Sequence, residues 1–277
     1  MNSVVIAGCG DLGSAVGVLL AESGSRVWGL RRSEAPAVDG IHMLAVDLTQ
    51  PDRFPELPAA DCVVYCPTPD QRDEAGYRSI FVQGQQALLQ ALPARPRHLL
   101  FVSSSAVYGQ DDGSWIDEDS PCEPGSFRGR VLLEAEQVTR SMSGSVLRLA
   151  GIYGPGRNWL INRVRSGAEA QQTPSYWTNR IHRDDAARLI VHLLPRLHEH
   201  ASWIGVDDQP ATQWEVCQWL ADRMGLPPVP ARIGGGSNKR LSNRRIRETG
   251  FKFRYPNYRS GYERLIAAGG AELGGSE

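Results

Sequence analysis

Lysine is nearly missing from this chain. Of its 30 basic residues only Lys239 and Lys252 are lysines, and both lie near the end. Chemistry that needs a lysine earlier in the sequence is therefore excluded. Net charge is also close to zero, at -1 from 30 basic and 31 acidic residues. That argues against a nucleic-acid partner, because neutralising phosphates needs a surplus of cations. No apolar run approaches the ~20 residues that cross a bilayer, so no membrane partner is expected. Cysteines are few, odd in number and scattered: Cys9, Cys62, Cys66, Cys122 and Cys217. They form no disulfide framework and indicate a reduced, cytoplasmic setting. No Cys/His group has zinc-ligand spacing, so no metal is expected. The opening MNSVVIAGCGDLG carries no charged leader and reads as a strand, not a signal peptide. Intrinsic disorder is excluded as the main state by a hydrophobic content of 41%.

What is present is an alternation. Apolar runs at Ser3–Ala7, Ser25–Leu30, His42–Val46, Asp61–Tyr65, His98–Ser103 and Ser145–Leu149 read as six strands. Helical spacing occupies Leu12–Leu20, Tyr77–Leu92 and Gly129–Arg140 between them. Strands alternating with helices predict an α/β fold, a Rossmann-type doubly wound parallel sheet. Residues 1–150 form this domain, with 180–206 contributing on the sheet side through a helix at Asp184–Leu197 and a short strand at Trp203–Val206. Residues 151–179 and 207–268 make a small C-terminal substrate lobe. Gly151–Asn179 reads as loop-rich, Thr212–Met224 and Leu241–Thr249 as helices, Gly234–Ser237 as a flexible loop, and 269–277 as a disordered tail.

Gly8-Cys9-Gly10-Asp11-Leu12-Gly13 is a GxGxxG that follows a strand and opens a helix. In that context it reads as a dinucleotide loop: Gly8 for the tight turn, Gly10 for approach of the pyrophosphate, Gly13 for helix–strand packing. The helix N-terminus offers N–H groups to phosphate. At the end of the second strand, where an NAD site carries Asp or Glu, the chain has Arg31-Arg32-Ser33. Arginine suits a 2′-phosphate by charge and shape, so NADP(H) is expected over NAD(H). Asp47 and Leu48, after the third strand, are candidate adenine neighbours. A turn or capping role suits Asp47 equally well.

Ser103-Ser104-Ser105-Ala106-Val107-Tyr108-Gly109 follows the fifth strand. With the glycine loop, this resembles the extended short-chain dehydrogenases/reductases, the nucleotide-sugar epimerase/dehydratase group. Glu118, Pro121 and Pro124 resemble the family's approach to its active-site helix. Arg148 to Arg157 resembles its R-x-x-x-x-Y-G-P-G segment, and Asn179-Arg180-Ile181-His182-Arg183-Asp184-Asp185 its N-x-I-H-x-D-D segment. Lys239–Asn243, Gly250-Phe251 and Tyr255-Pro256 resemble the family's ending. The resemblance implies cofactor contacts at Cys66, Pro67 and Ser103 as well as at the glycine loop. The departure falls on the chemistry. Where the family has Tyr-x-x-x-Lys, this chain has Phe127 and Val131. Phe81 stands where the family has a supporting Asn. The chain thus resembles an atypical subgroup that keeps the upstream Ser and has lost the Tyr/Lys pair.

Phe127 exchanges no proton and Val131 anchors no ribose, so other residues must act in any reaction. Ser104 is the candidate for polarising a carbonyl. Tyr153 and His182 are candidate proton donors, with Tyr108 a third in the region. Arg128 is a candidate oxyanion partner; arginine stays protonated and is a poor general acid. Ser105, Arg130, Arg157, Asn179 and Arg180 are candidate contacts to a small-molecule substrate, nucleotide-linked or phosphorylated. Trp159, Tyr176 and Trp177 read as packing residues or as stacking partners for a ring. Two functions fit. One is an oxidoreductase or epimerase/dehydratase acting on a carbonyl or hydroxyl substrate. The other is a non-catalytic NAD(P)(H)-binding redox sensor or partner-binding protein on the same fold. The resembled family often forms homodimers, here through 77–92 and 129–140, though amphipathic helices at those places pack on their own sheet just as readily.

Overall fold

The structure, a computed structural model, describes residues 2–33 and 37–273, with side chains to 267. Two compact units divide the chain. The first comprises 1–109, 121–148 and 186–203. Its seven-stranded sheet is built from β1 (Ser3–Ala7), β2 (Arg26–Arg31), β3 (Ile41–Ala45), β4 (Cys62–Tyr65), β5 (His98–Ser104), β7 (Ser145–Leu149) and β12 (Ser202–Gly205). The order is β12-β7-β5-β4-β1-β2-β3, and β1 runs parallel to both β2 and β4. The order reverses at β1. In open parallel sheets the crevice outside the strand ends at such a reversal takes the ligand. The inner strands β4 and β7 are buried at every residue, as strands covered on both faces are.

Helix α1 (Asp11–Glu22) begins directly after the glycine loop, and its buried face carries Leu12, Gly13, Val16, Gly17 and Leu20. The helix read over Tyr77–Leu92 is interrupted. It starts earlier, as α2 (Glu74–Arg78), capped by Asp73, whose carboxylate accepts from Gly76 N at 2.8 Å. A π-helical turn at Ser79–Gln83 follows, then α3 (Gly84–Ala91). The cause is tertiary: the Tyr65 hydroxyl donates to the Ile80 carbonyl, which the wider turn releases from the helix ladder. Helix α4 (Phe127–Ser141) starts two residues before the expected Gly129, because Ser126 caps it by accepting from Gly129 N. The helix α6 (Arg183–Leu193) buries Ala186, Ala187, Leu189, Ile190 and Leu193.

The second unit comprises 110–120, 149–185 and 204–277. It contains β6 (Trp115–Ile116), β8 (Gly151–Tyr153), α5 (Trp159–Arg165), β9 (Ala170–Thr173), β10 (Trp177–Thr178), β11 (Arg180–His182), β13 (Ala211–Thr212), α7 (Gln213–Arg223), β14 (Ala231–Ile233), β15 (Arg240–Leu241), α8 (Arg244–Glu248) and α9 (Tyr258–Leu273). Four two-stranded ladders pair β8 with β11, β9 with β14, β6 with β15, and β10 with β13. Its core is Tyr153, Ile161, Val164, Val216, Leu220, Tyr258 and Tyr262 with their neighbours.

The boundaries differ from the sequence reading in three ways. Residues 110–120 join the second unit, because β6 pairs with β15 and the Asp111 carboxylate accepts from Asn238 N at 2.6 Å. Residues 180–185 also belong there, through the β11–β8 ladder. The expected tail from 269 is helical to Leu273 as the end of α9, and 274–277 lie outside the described residues. The loop-rich segment 151–179 in fact contains α5 and three short strands.

Candidate functional site

A cavity of about 300 Å³ opens in the first unit at the end of β1 and β2. Gly8, Gly10, Arg31, Arg32, Ser33, Asp47, Leu48 and Pro67 line it, and all eight are among the expected cofactor residues. Gly8 holds φ at +92°, and a Cβ there would meet Pro67 Cα at 2.4 Å. Only glycine fits that turn. A Cβ on Gly10 would meet nothing within 4 Å, so this backbone borders open space. Gly13 lets α1 close on the loop: a Cβ would lie 2.5 Å from the Gly8 carbonyl oxygen. Ser14 N donates to Gly10 O at 2.8 Å, the first backbone bond of α1. The Leu12 and Gly13 N–H groups precede it and are left for an anion at the helix start. These features fit a dinucleotide pyrophosphate. The resident group of such a site, a nicotinamide dinucleotide, supplies hydride transfer.

The remaining expected cofactor residues lie around this cavity without lining it. Asp11 is exposed on the first turn of α1, and Leu12 is buried. Cys66 supports the turn from behind, its thiol donating to Gly8 O at 3.6 Å. Ser103 is turned inward, its hydroxyl donating to Glu136 Oε1 at 2.9 Å. Six lining residues were not among the expected cofactor residues: Leu30, Val46, Thr49, Thr68, Asp70 and Ile80. The turn signal Pro67-Thr68-Pro69-Asp70 after β4 marked a loop there; nothing local marks Ile80.

Charge in the cavity is arranged unevenly. Asp47 Oδ1 accepts from Thr49 N at 3.0 Å and Thr49 Oγ1 at 2.7 Å, and Oδ2 accepts from Gln50 Nε2 at 2.9 Å. Burial raises the Asp47 carboxyl, but these bonds and the Arg32 charge outweigh it and hold it below the usual aspartate range. Asp47 is thus the turn-forming residue of its loop as well as a cavity wall. Arg32 pairs with Asp70. Arg31 has no hydrogen-bond or ion-pair partner for its side chain among the described residues.

The first unit also carries a buried polar network. Arg148 Nε and Nη2 donate to the two oxygens of Glu136 at 3.0 and 2.7 Å, and Arg148 Nη1 donates to the Tyr108 hydroxyl at 2.7 Å. Burial works against the Arg148 charge, yet Glu136 and Tyr108 hold its pKa above the ordinary arginine value. Tyr108 is therefore 2% exposed and committed to Arg148.

Hydrocarbon fills the position of the family's proton-transfer pair. Val131 is fully buried. Phe127 is half-buried, edge-on to Tyr77 at 5.6 Å between ring centres, with the Arg128 guanidinium 5.7 Å from its ring. Ser104 Oγ accepts from Ala106 N at 3.2 Å, closing the turn Ser105–Val107 in which Ser105 lies. Arg130 is exposed and donates to Gly125 O at 3.4 Å.

In the second unit a pocket of about 200 Å³ is lined by Tyr153, Arg157, Asn179, Arg180, Thr178, Trp159, Gln213 and Tyr262, among others. The structure thus brings together four expected residues: Tyr153, Arg157, Asn179 and Arg180. Arg180 is almost wholly buried; Nη2 donates to Thr178 Oγ1, and Nη1 has no hydrogen-bond partner. Asn179 is occupied at both ends of its amide, donating to Lys239 O at 2.9 Å and accepting from Leu241 N at 2.8 Å. His182 does not line this pocket. It is buried, stacked on Tyr255 at 3.9 Å, and its Nδ1 accepts from Asp184 N at 3.2 Å. Burial pushes its pKa below the usual histidine value, against the pull of Asp184 and Asp185. Tyr153 donates to Asn257 O at 3.4 Å, and burial pushes its phenol well above the usual range. Neither is placed as a ready proton donor. Asp207, which the sequence reading passed over, is buried beside them, and burial pushes its carboxyl up to about 8 against the pull of Arg180. Among the described residues no three His, Cys, Asp or Glu side chains gather as a metal-binding group, and no helix is long and apolar enough to cross a membrane.

The sequence and fold match known proteins. A model of the NAD dependent epimerase/dehydratase family matches residues 4–205. A solved structure from Methylobacillus flagellatus is 38% identical, covers 96% of this chain and 98% of its own, and has a TM-score of 0.81. Protein YeeZ of Escherichia coli K12 is 30% identical over 273 residues, 93% of this chain and 97% of its own. A short-chain dehydrogenase/reductase superfamily protein from Agrobacterium tumefaciens, solved with bound NAD, shares the fold at 20% identity, with a TM-score of 0.82 over 98% of both chains. The class is a Rossmann-type protein with a nicotinamide dinucleotide site. More narrowly, the chain belongs to the NAD dependent epimerase/dehydratase family.

Proposed function

We propose that this chain is an NADP(H)-dependent oxidoreductase or epimerase/dehydratase, acting at a carbonyl or hydroxyl carbon of an anionic substrate such as a phosphorylated or nucleotide-linked sugar. The observation that carries the cofactor choice is the end of β2. It turns Arg31, Arg32 and Ser33 into the cavity, where an NAD site would present a carboxylate. Asp47, the nearest acid on the neighbouring strand end, is spent on Thr49 and Gln50. The anionic substrate is supported by Arg157 and Arg180 in the second pocket, where Arg180 keeps an unused donor. Five free cysteines suit a reducing cytoplasm, and α2, α3 and α4 are the surfaces for a homodimer.

The test is a fluorescence titration of the purified protein with NADPH and NADH. NADPH binding at least about tenfold tighter, about 1.4 kcal/mol, is expected. Tighter NADH binding overturns the choice of cofactor and leaves the family intact.

One set of contacts favours a non-catalytic redox sensor instead. Phe127 and Val131 offer no proton, and Tyr108, Tyr153 and His182 are each engaged in a hydrogen bond within the protein. Incubation with NADPH and a panel of aldehydes, ketones and nucleotide sugars separates the two: oxidation of NADPH marks an enzyme, and binding without turnover across the panel marks a sensor.

A further inference from the structure

The cavity of the first unit holds two arginines, and among the described residues one of them, Arg32, has a carboxylate partner. Arg32 leaves the end of β2, and Asp70 lies in the loop after β4. Both line the cavity, and they meet as an ion pair at its open rim, with side chains 57% and 65% exposed. The other acid of the cavity, Asp47, is held by Thr49 and Gln50.

We propose that Asp70 sets how strongly this protein recognises a 2′-phosphate: its carboxylate holds Arg32 when no cofactor is bound, and the cofactor's 2′-phosphate must displace it. The inference rests on the NADP(H) reading of the same cavity and adds a residue that opposes it.

The physics is a competition between two anions for one guanidinium fork. A carboxylate carries one charge on two oxygens. A phosphate monoester carries about 1.5 to 2 charges on three oxygens at pH 7 and is the stronger partner for arginine. An exposed ion pair is weak, because water and salt screen it. The exchange therefore runs toward phosphate while still costing the cofactor part of its gain. After displacement the Asp70 charge remains near the bound phosphate and repels it. NADH carries no phosphate there and leaves the pair in place. Asp70 thus lowers NADPH affinity selectively and narrows the gap between the two cofactors. Arg31 stands outside this competition and retains its charge for the phosphate in either state.

Titration of the full chain and its D70N and R32A variants with NADPH and with NADH tests the idea. D70N keeps the size of the side chain and removes its charge at an exposed site, so folding is not at issue. In D70N, NADPH is expected to bind about three- to fivefold tighter, with NADH unchanged, and the gain should shrink in 0.5 M salt as about 4 Å screening sets in. R32A should lose NADPH affinity and leave NADH nearly as it was. Unchanged or weaker NADPH binding in D70N, with R32A still losing NADPH, overturns the role of Asp70 and keeps the NADP(H) reading. Equal tightening of both cofactors in D70N also overturns it, since the effect is then not on the 2′-phosphate. If NADPH binding is indifferent to R32A and the wild-type chain prefers NADH, the NADP(H) reading fails and this inference fails with it.

Discussion

Glu136 on α4 and Arg148 on β7 form a two-pronged ion pair with almost no solvent exposure on either side chain. Ser103 and Arg140 supply further donors to the same carboxylate, at 2.9 and 3.0 Å. The charge of Glu136 is thus matched and its lone pairs are used. The pair ties α4 to the sheet strand β7 and, through Tyr108, fixes the turn after β5.

Breaking this pair from one side leaves a buried charge without its counter-ion. Arg148→Met is expected to cost about 3–5 kcal/mol of stability. Glu136→Leu should cost a similar amount. The double substitution should recover much of the loss, because neither charge is then buried alone. Urea unfolding of the four proteins as a double-mutant cycle checks this. Additive losses would show that the two side chains act independently.

The glycine loop makes a second prediction. A Cβ at position 13 would lie 2.5 Å from the Gly8 carbonyl oxygen, so Gly13→Ala must push α1 away from the loop. The Leu12 and Gly13 N–H groups move with it. Binding of NADPH and NADH should weaken together, by about tenfold or more, while the chain stays folded. Gly10→Ala meets nothing within 4 Å in the cofactor-free chain and should leave stability nearly unchanged. Its effect should appear in the titration alone, since the added methyl stands where the pyrophosphate approaches. Circular dichroism melts and cofactor titrations of both variants separate the two effects.

The inner strands of the sheet were legible because they are buried almost throughout. Ser3–Ala7 and Ser145–Leu149 stand out as apolar runs and match the structure residue for residue. The interruption at Ser79–Gln83 was not legible, since it follows from a hydroxyl on Tyr65, a distant strand residue. Residues 110–120 look like a loop of the first unit until Asp111 is seen to hold the backbone at Asn238. At the cofactor site, Gly8, Arg31 and Arg32 announced themselves by motif and position. Asp70 did not, because its ion pair with Arg32 is made only by the fold. His182 and Tyr153 lie in recognisable segments, yet burial and stacking decide their chemistry, and neither is written in a pattern.

Restoring the family's tyrosine and lysine separately should give opposite results. Phe127 is half-buried and edge-on to Tyr77, so Phe127→Tyr adds a hydroxyl at a partly open site. Stability should change by less than about 1 kcal/mol. Val131 is fully buried, so Val131→Lys forces an ammonium group into an apolar setting. A loss of about 3 kcal/mol or more is expected, from desolvation and overpacking together. Thermal melts of the two variants measure this. A stable Val131→Lys protein would mean that the lysine reaches polar surroundings, as it does where the family's pair operates.

Asp207 gives the chain a pH signature with a definite sign. Its carboxyl is 1% exposed, and burial pushes its folded pKa up to about 8, against the pull of Arg180 and of the Gln209 N–H. In the unfolded chain it titrates near the ordinary aspartate value of about 4. Between these values the folded state holds a proton that the unfolded state has released. Stability contributed at this site therefore falls as pH rises from about 4 to about 8, by at most about 1.4 kcal/mol per pH unit, and levels off above. His182 runs the other way at lower pH: its pKa is depressed in the fold, so its contribution is lost as pH falls below about 6.5. The comparison that isolates Asp207 is the difference between wild type and Asp207→Asn, in which His182 cancels. Asparagine keeps an acceptor for Gln209 N, which donates to Asp207 Oδ1 at 3.2 Å, and carries no charge at any pH. Asp207→Asn should be close to wild type at pH 5 and clearly more stable at pH 8.5, measured by urea unfolding at both. Equal stability of the two proteins at pH 8.5 would mean that Asp207 is ionised at little cost in the folded chain, paired with the unused donor of Arg180.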